Sequence, residues 1–101
     1  MMSSDRLTKQ PLFWLIITNG GRTRAQIIKV LRKTPMNANQ LSSLLRLNYD
    51  KIKRELAILE KNQLLVSEGD YYSATYYLSK LMAKNYRVFE EIVRARDSFY
   101  S

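Results

Sequence analysis

Between Met36 and Leu65 the chain reads MNANQLSSLLRLNYDKIKRELAILEKNQLL, two short amphipathic helical patterns joined by a polar break of a few residues. In the first, Ala38, Leu41, Leu44 and Leu45 recur at helical spacing and Leu47 closes the apolar face; in the second, Ile52, Leu56 and Leu59 fall at i, i+4 and i+7. Asn37 and Asn48 precede the two patterns as N-caps, because a short side-chain oxygen there accepts a hydrogen bond from a backbone N–H that the helix leaves unpaired. So short a connection forces the helices to cross steeply, which is helix-turn-helix geometry.

The flanks extend this unit. From Arg22 to Lys33, Ile27, Ile28 and Leu31 form an apolar stripe among Arg22, Arg24, Lys29 and Arg32, with Thr23 near the start and Pro35 as the stop. After Asn62 and Gln63, Leu64 to Val66 begins an extended segment, Glu68, Gly69 and Asp70 supply a turn, and Tyr71 to Leu78 makes a second strand rich in Tyr and Thr. Three helices followed by a hairpin is the winged-helix order. The expected fold is mainly α: a winged helix-turn-helix with a two-stranded β-hairpin wing and a long C-terminal helix.

Residues 1–10 are polar and expected to be flexible, with Pro11 opening a short helix. Leu12, Phe13, Trp14, Leu15, Ile16 and Ile17 follow with little periodicity, so burial on several sides is expected, with another subunit as one of them. A buried strand is the competing reading, and Asn19, Gly20 and Gly21 end either one. Residues 11–78 then form the DNA-binding domain and residues 79–101 a dimerisation helix, whose Leu81, Met82, Phe89, Ile92, Val93 and Phe99 share one broad stripe. The expected homodimer interface combines that stripe with Leu12, Phe13, Trp14 and Ile16, because two-fold contacts dominate soluble oligomers.

Composition narrows the function. The 101 residues suit one domain, and 46% hydrophobic with 26% charged residues is globular rather than disordered composition. Lys and Arg number 17 against 9 Asp and Glu, a formal charge of +8, which attracts polyanions through counterion release. The chain contains no Cys and no His, which removes thiolate metal sites, disulfides and the commonest general base, and fits a cytoplasmic setting. No glycine-rich phosphate loop and no nucleophile–base spacing is present, so neither an enzyme nor a cofactor is expected. The longest apolar run, Leu12 to Ile17, falls far below the roughly 20 residues that span a bilayer, and no membrane partner is expected.

The chain resembles the small archaeal winged helix-turn-helix regulators of the ArsR-like superfamily. The resemblance runs through Gly20–Gly21–Arg22–Thr23–Arg24, Pro35 to Leu41, Leu45 to Tyr49, then Leu56, Leu59, Glu60, Asn62, Leu64 and Leu65, and the Gly69, Asp70, Tyr72 and Tyr76 wing. It covers residues 12 to 80 and implies a dimeric transcription factor bound to double-stranded DNA. Such domains often carry a Thr and a His where Lys51 and Glu55 stand here, so their base preference does not transfer. Metal-sensing members use Cys and His ligands that this chain lacks, and no metal is expected to regulate it.

With Ile52, Leu56 and Leu59 turned inward, Tyr49, Asp50, Lys51, Lys53 and Arg54 occupy the opposite surface of their helix and would enter the major groove. Arg54 is the candidate reader of a guanine edge, since its planar fork matches O6 and N7. Asn39, Gln40, Ser42, Ser43 and Asn48 lie near helix starts, where they are suited to phosphates or to simple capping. Arg22 and Arg24 are expected at the flanking backbone, with an intramolecular ion pair as the alternative for Arg24. The wing tip carries Glu68 and Asp70, which repel phosphate, and Tyr71, Tyr72 and Tyr76 are read as packing residues before hydroxyl donors. Two other functions fit the same fold: a protein-interaction module, and an RNA-binding protein, which would require exposed aromatic platforms.

Overall fold

The computed structural model describes residues 4–100, and over that span the chain runs α1 (Ser4–Ile17), α2 (Gly21–Lys33), β1 (Met36–Asn37), α3 (Ala38–Leu45), α4 (Tyr49–Lys61), β2 (Leu65–Glu68), β3 (Thr75–Leu78), α5 (Lys80–Lys84) and α6 (Tyr86–Tyr100). The fold is a winged helix. Its helix-turn-helix is α3–α4, and β2 and β3 form the wing hairpin.

The N-terminal expectation needs correction. Residues 1–3 lie outside the described residues, but α1 begins at Ser4 and takes Pro11 into its interior, so residues 4–10 are helical and Pro11 does not open the helix. The apolar run is helical and one-sided: Leu12 and Ile16, four residues apart, are fully buried, whereas Phe13 and Trp14 face outward. The strand alternative is thereby excluded.

Two glycines make the joint between α1 and α2. Gly20 takes a left-handed φ of 85°, and a Cβ on Gly21 would lie 2.0 Å from the carbonyl oxygen of Ile16. The second glycine therefore lets two backbones touch. Across this joint α1 packs on α2, and α6 folds back over α1.

The helix-turn-helix is capped as its sequence requires. Asn37 and Gln40 form a reciprocal capping box, the Gln40 backbone N–H donating to Asn37 Oδ1 and the Asn37 N–H to Gln40 Oε1, both at 2.8 Å. Between α3 and α4 the chain turns at Arg46, a non-glycine residue with φ 58°, and the Leu47 N–H donates to the Ser42 carbonyl at 3.1 Å. Asn48 Oδ1 then accepts from the N–H groups of Asp50 at 2.7 Å and Lys51 at 3.2 Å. Ile52, Leu56 and Leu59 of α4 are fully buried, each contributing about 1.5 to 3 kcal/mol through the apolar surface removed from water. Leu44, expected on the inner face of α3, is instead 54% exposed.

The sheet holds one strand more than the hairpin. Its order is β1-β3-β2, all antiparallel, with Met36 opposite Tyr76 on one side of β3 and Ser67 opposite the same Tyr76 on the other. A two-residue strand has no period to read, and Asn37 serves it while also capping α3.

The C-terminal segment is two helices. Ser79 caps α5, its Oγ accepting from the Met82 N–H at 3.0 Å, and at Asn85 the backbone N–H turns back to the carbonyls of Leu81 and Met82. The Asn85 side chain donates to the Leu81 carbonyl at 2.9 Å, so the break is hydrogen-bonded internally. Because α5 and α6 both lie on α1, Met82 of α5 and Phe89 of α6 are fully buried and Val93 nearly so. With Leu12 and Ile16 they belong to the protomer's own core, not to a surface offered to a second subunit.

Candidate nucleic-acid interface

With its aliphatic side sealed into the core, α4 shows the opposite side outward. Asp50 and Arg54 are exposed there, Lys51 and Lys53 are half-buried, and Tyr49 packs against the core edge. Arg54 and Asp50 line one cleft together with Lys53, Ala57, Ser67 and Tyr71, a groove of about 440 Å³ between α4 and the wing.

Lys53 is turned toward the wing. Its Nζ lies 4.2 Å from the centre of the Tyr71 ring, and it donates to the Tyr71 carbonyl and the Tyr76 hydroxyl, both at 3.4 Å. Burial against the wing disfavours the charged amine, but the hydrogen bond to Tyr76 and attraction to Tyr76, Tyr49 and Tyr71 outweigh it, holding the ammonium above the ordinary lysine range.

The wing tyrosines divide. Tyr76 is buried, as a packing role requires. Tyr71 and Tyr72, also read as packing residues, are instead 71% and 81% exposed and meet edge to face, with ring centres 5.0 Å apart at 87°. They differ because β3 begins at Thr75, four residues later than the strand expected from Tyr71, so Tyr71 and Tyr72 lie in the turn and only Tyr76 is a strand residue. Glu68 accepts from the Tyr77 hydroxyl at 3.2 Å, which keeps the Tyr77 phenol protonated above its usual range through that bond and the carboxylate charge.

Arg24 is a second correction. Its guanidinium is 5% exposed and turned inward: Nε donates to the Leu15 carbonyl at 2.8 Å, Nη2 to the Asn19 carbonyl at 2.7 Å, and Nη1 to Glu55 Oε1 at 2.7 Å. It ties the end of α1 to the middle of α4 and does not reach a phosphate. Glu55 had no assigned role in the sequence, and its partner lies 31 positions away.

Among the capping candidates, Asn37, Gln40 and Asn48 spend their side-chain oxygens on backbone N–H groups, and Ser42 donates its hydroxyl to the Leu47 carbonyl. Asn39 is exposed on the first turn of α3. Arg22 is exposed and lines a cavity with Lys51 and with Arg96 of α6. Arg96 was not singled out in the sequence, because it joins this basic wall only when α6 folds back.

Next to that cavity, and sharing Ile17 and Arg96 with it, lies a second surface, where Phe13 and Trp14 of α1 meet edge to face at 5.6 Å, Trp14 is 59% exposed and Phe99 of α6 is 82% exposed. Phe13, Ile17, Ile92, Ala95, Arg96 and Phe99 line an almost wholly apolar groove between the two helices. Leu81 and Ile92 are half-buried. Of the residues expected to pair two subunits, Phe13, Trp14 and Phe99 therefore retain a substantial outward surface. Among the described residues, no helix is long and apolar enough to cross a membrane.

No protein-family model and no curated protein matches this sequence. Solved structures do match its fold. The chain is similar to HlyU from Vibrio cholerae, with a TM-score of 0.61 at 20% identity over 98% of this chain and 100% of that one. It is similar to a probable transcriptional regulator from Pseudomonas aeruginosa, with a TM-score of 0.64 at 24% identity over 96% of this chain and 80% of the other. A third match is the homodimeric winged helix-turn-helix DNA-binding domain of Mb0332 from Mycobacterium bovis, a possible ArsR-family transcriptional regulator, with a TM-score of 0.64 at 12% identity over 99% and 94% of the two chains. At these identities the likeness establishes the winged-helix fold.

Proposed function

We propose that the protein is a sequence-specific, double-stranded-DNA-binding transcriptional regulator of the ArsR-like superfamily, akin to its small archaeal members and acting as a homodimer with α4 in the major groove. The observation that carries this reading is the outward face of α4: an exposed Arg54 with Lys51 beside it, on a helix whose other side is wholly buried. A net charge of +8 supplies the attraction to phosphate, and the regulators and the DNA-binding domain among the structural neighbours support the reading. In the dimer, two copies of α4 address half-sites about 34 Å apart, and Phe13, Trp14 and Phe99 cover one another across the two-fold axis. Arg22 and Lys51 flank the recognition surface as backbone contacts, and Asn39 lies at the edge of the groove.

Gel shifts on a random duplex at low salt test the reading. The expected result is binding that weakens steeply as salt is added, with tighter binding to fragments selected from the protein's own genome. A protein that used this fold only for protein contacts would bind both duplexes equally and only weakly, despite its charge of +8.

A further inference from the structure

We infer that the wing meets the duplex through the exposed rings of Tyr71 and Tyr72, and that Lys53 sets this pair against the recognition helix instead of contacting phosphate. The inference rests on the DNA-binding reading and deepens it. From Leu65 to Leu78 the wing contains no Lys or Arg and carries Glu68 and Asp70 at its turn, so it has no cation with which to hold a phosphate. It does present two adjacent aromatic rings, 71% and 81% exposed, at a loop tip where solvent alone would favour small polar residues. Rings of this kind cover deoxyribose and base edges without needing charge, and a phenol hydroxyl donates to a phosphate oxygen.

The pair is built onto α4. The Lys53 ammonium lies over the Tyr71 ring and bonds to its carbonyl, and Tyr71 in turn supports Tyr72 edge to face. Two of the three ammonium donors are spent on the wing, at the Tyr71 carbonyl and the Tyr76 hydroxyl. The occupant is the duplex because Tyr71 lines the same cleft as Arg54, which makes the tip continuous with the outward face of α4, although Asp50 and Glu60 line that cleft beside Lys53 and Arg54. Of the two acids, Glu68 is drawn along the strand by the Tyr77 hydroxyl. Asp70 stays exposed and limits how closely the tip approaches phosphate.

The test measures binding of the full chain to a labelled random duplex by fluorescence anisotropy across a salt series, for wild type, Tyr72→Ala, Tyr72→Phe, Tyr71→Ala, Lys53→Gln and the double variant Lys53→Gln/Tyr71→Ala. Tyr72→Ala is expected to bind roughly 2- to 10-fold more weakly with an unchanged salt slope, and Tyr72→Phe to recover most of the loss. Lys53→Gln is expected to weaken binding, again with the slope unchanged, and the double variant to lose less than the product of the Lys53→Gln and Tyr71→Ala losses. Lys53→Gln lowering the slope by about 0.9, or Tyr72→Ala binding like wild type, would overturn the inference. Tyr71 and Tyr72 stand at the surface and Lys53 is half-buried, and circular dichroism checks that each variant is folded. Failure of the wild type to bind any duplex at low salt would instead defeat the DNA-binding reading itself.

Discussion

Arg54 stands on the solvent side of α4 with no hydrogen bond to the wing, while Lys53, its neighbour in sequence, is drawn into the hairpin. The two cations consequently have different expected effects. Replacing Arg54 with alanine should cost about 1 to 3 kcal/mol on a specific site and much less on random duplex, because a bidentate contact to guanine discriminates between bases. Competition binding with specific and random fragments checks this, and equal losses on both would refute the assigned role. Glu55→Ala should destabilise the fold by about 3 to 5 kcal/mol in urea denaturation, since it leaves the Arg24 guanidinium buried without its carboxylate. Gly21→Ala should be as damaging, because its methyl group would meet a backbone carbonyl that cannot step aside. The caps at Asn37 and Asn48 were readable in the sequence because a cap is a local bond spanning two or three residues. The partner of Arg24 was not, because it comes from another helix and only the assembled fold brings it near.

Among the elements, legibility follows periodicity. The three helices with a clear apolar repeat, α2, α3 and α4, stand where their spacing put them, and the hairpin follows them with a longer turn than expected: Glu68 belongs to β2, and β3 begins at Thr75 instead of Tyr71. What escaped were features without a repeat: the two-residue β1, the break at Asn85, and the extension of α1 before Pro11. The break matters, since a continuous helix from residue 79 onward would project from the domain, whereas two helices let α6 return over α1. Tyr86, at the start of α6, packs against the guanidinium of Arg32 on α2, 4.0 Å from its ring centre. Burial raises the Tyr86 phenol above its ordinary value of 10.0, and the Arg32 charge offsets part of that rise. A raised folded value means that this contribution to stability is intact below pH 10.0 and is lost as pH climbs through the folded value. Arg32→Leu should move tyrosinate formation at this site to still higher pH, which an absorbance titration of the wild type and variant detects.

For the molecule as a whole, the proposed dimer requires that two copies of α4 act together. The outward rings of Phe13, Trp14 and Phe99 are the apolar surface that a second copy would cover, and Trp14 is the only tryptophan in the chain. Its emission should therefore shift to shorter wavelength as protein concentration rises, and Phe99→Glu should abolish that shift and weaken binding to a two-site operator while leaving the protomer folded. An emission maximum independent of concentration would count against this seam.

The contact at Gly21 bears on the layout of the target. Where the α2 backbone rests directly on the last turn of α1, and Arg24 clamps that turn to α4, α1 has no hinge with which to move against α4. In the proposed dimer the distance between the two copies of α4 would then be fixed in the manner of a rigid caliper. Lengthening an operator's central spacer by one base pair swings a half-site by about 35° around the duplex axis, and a rigid caliper has no joint with which to follow it.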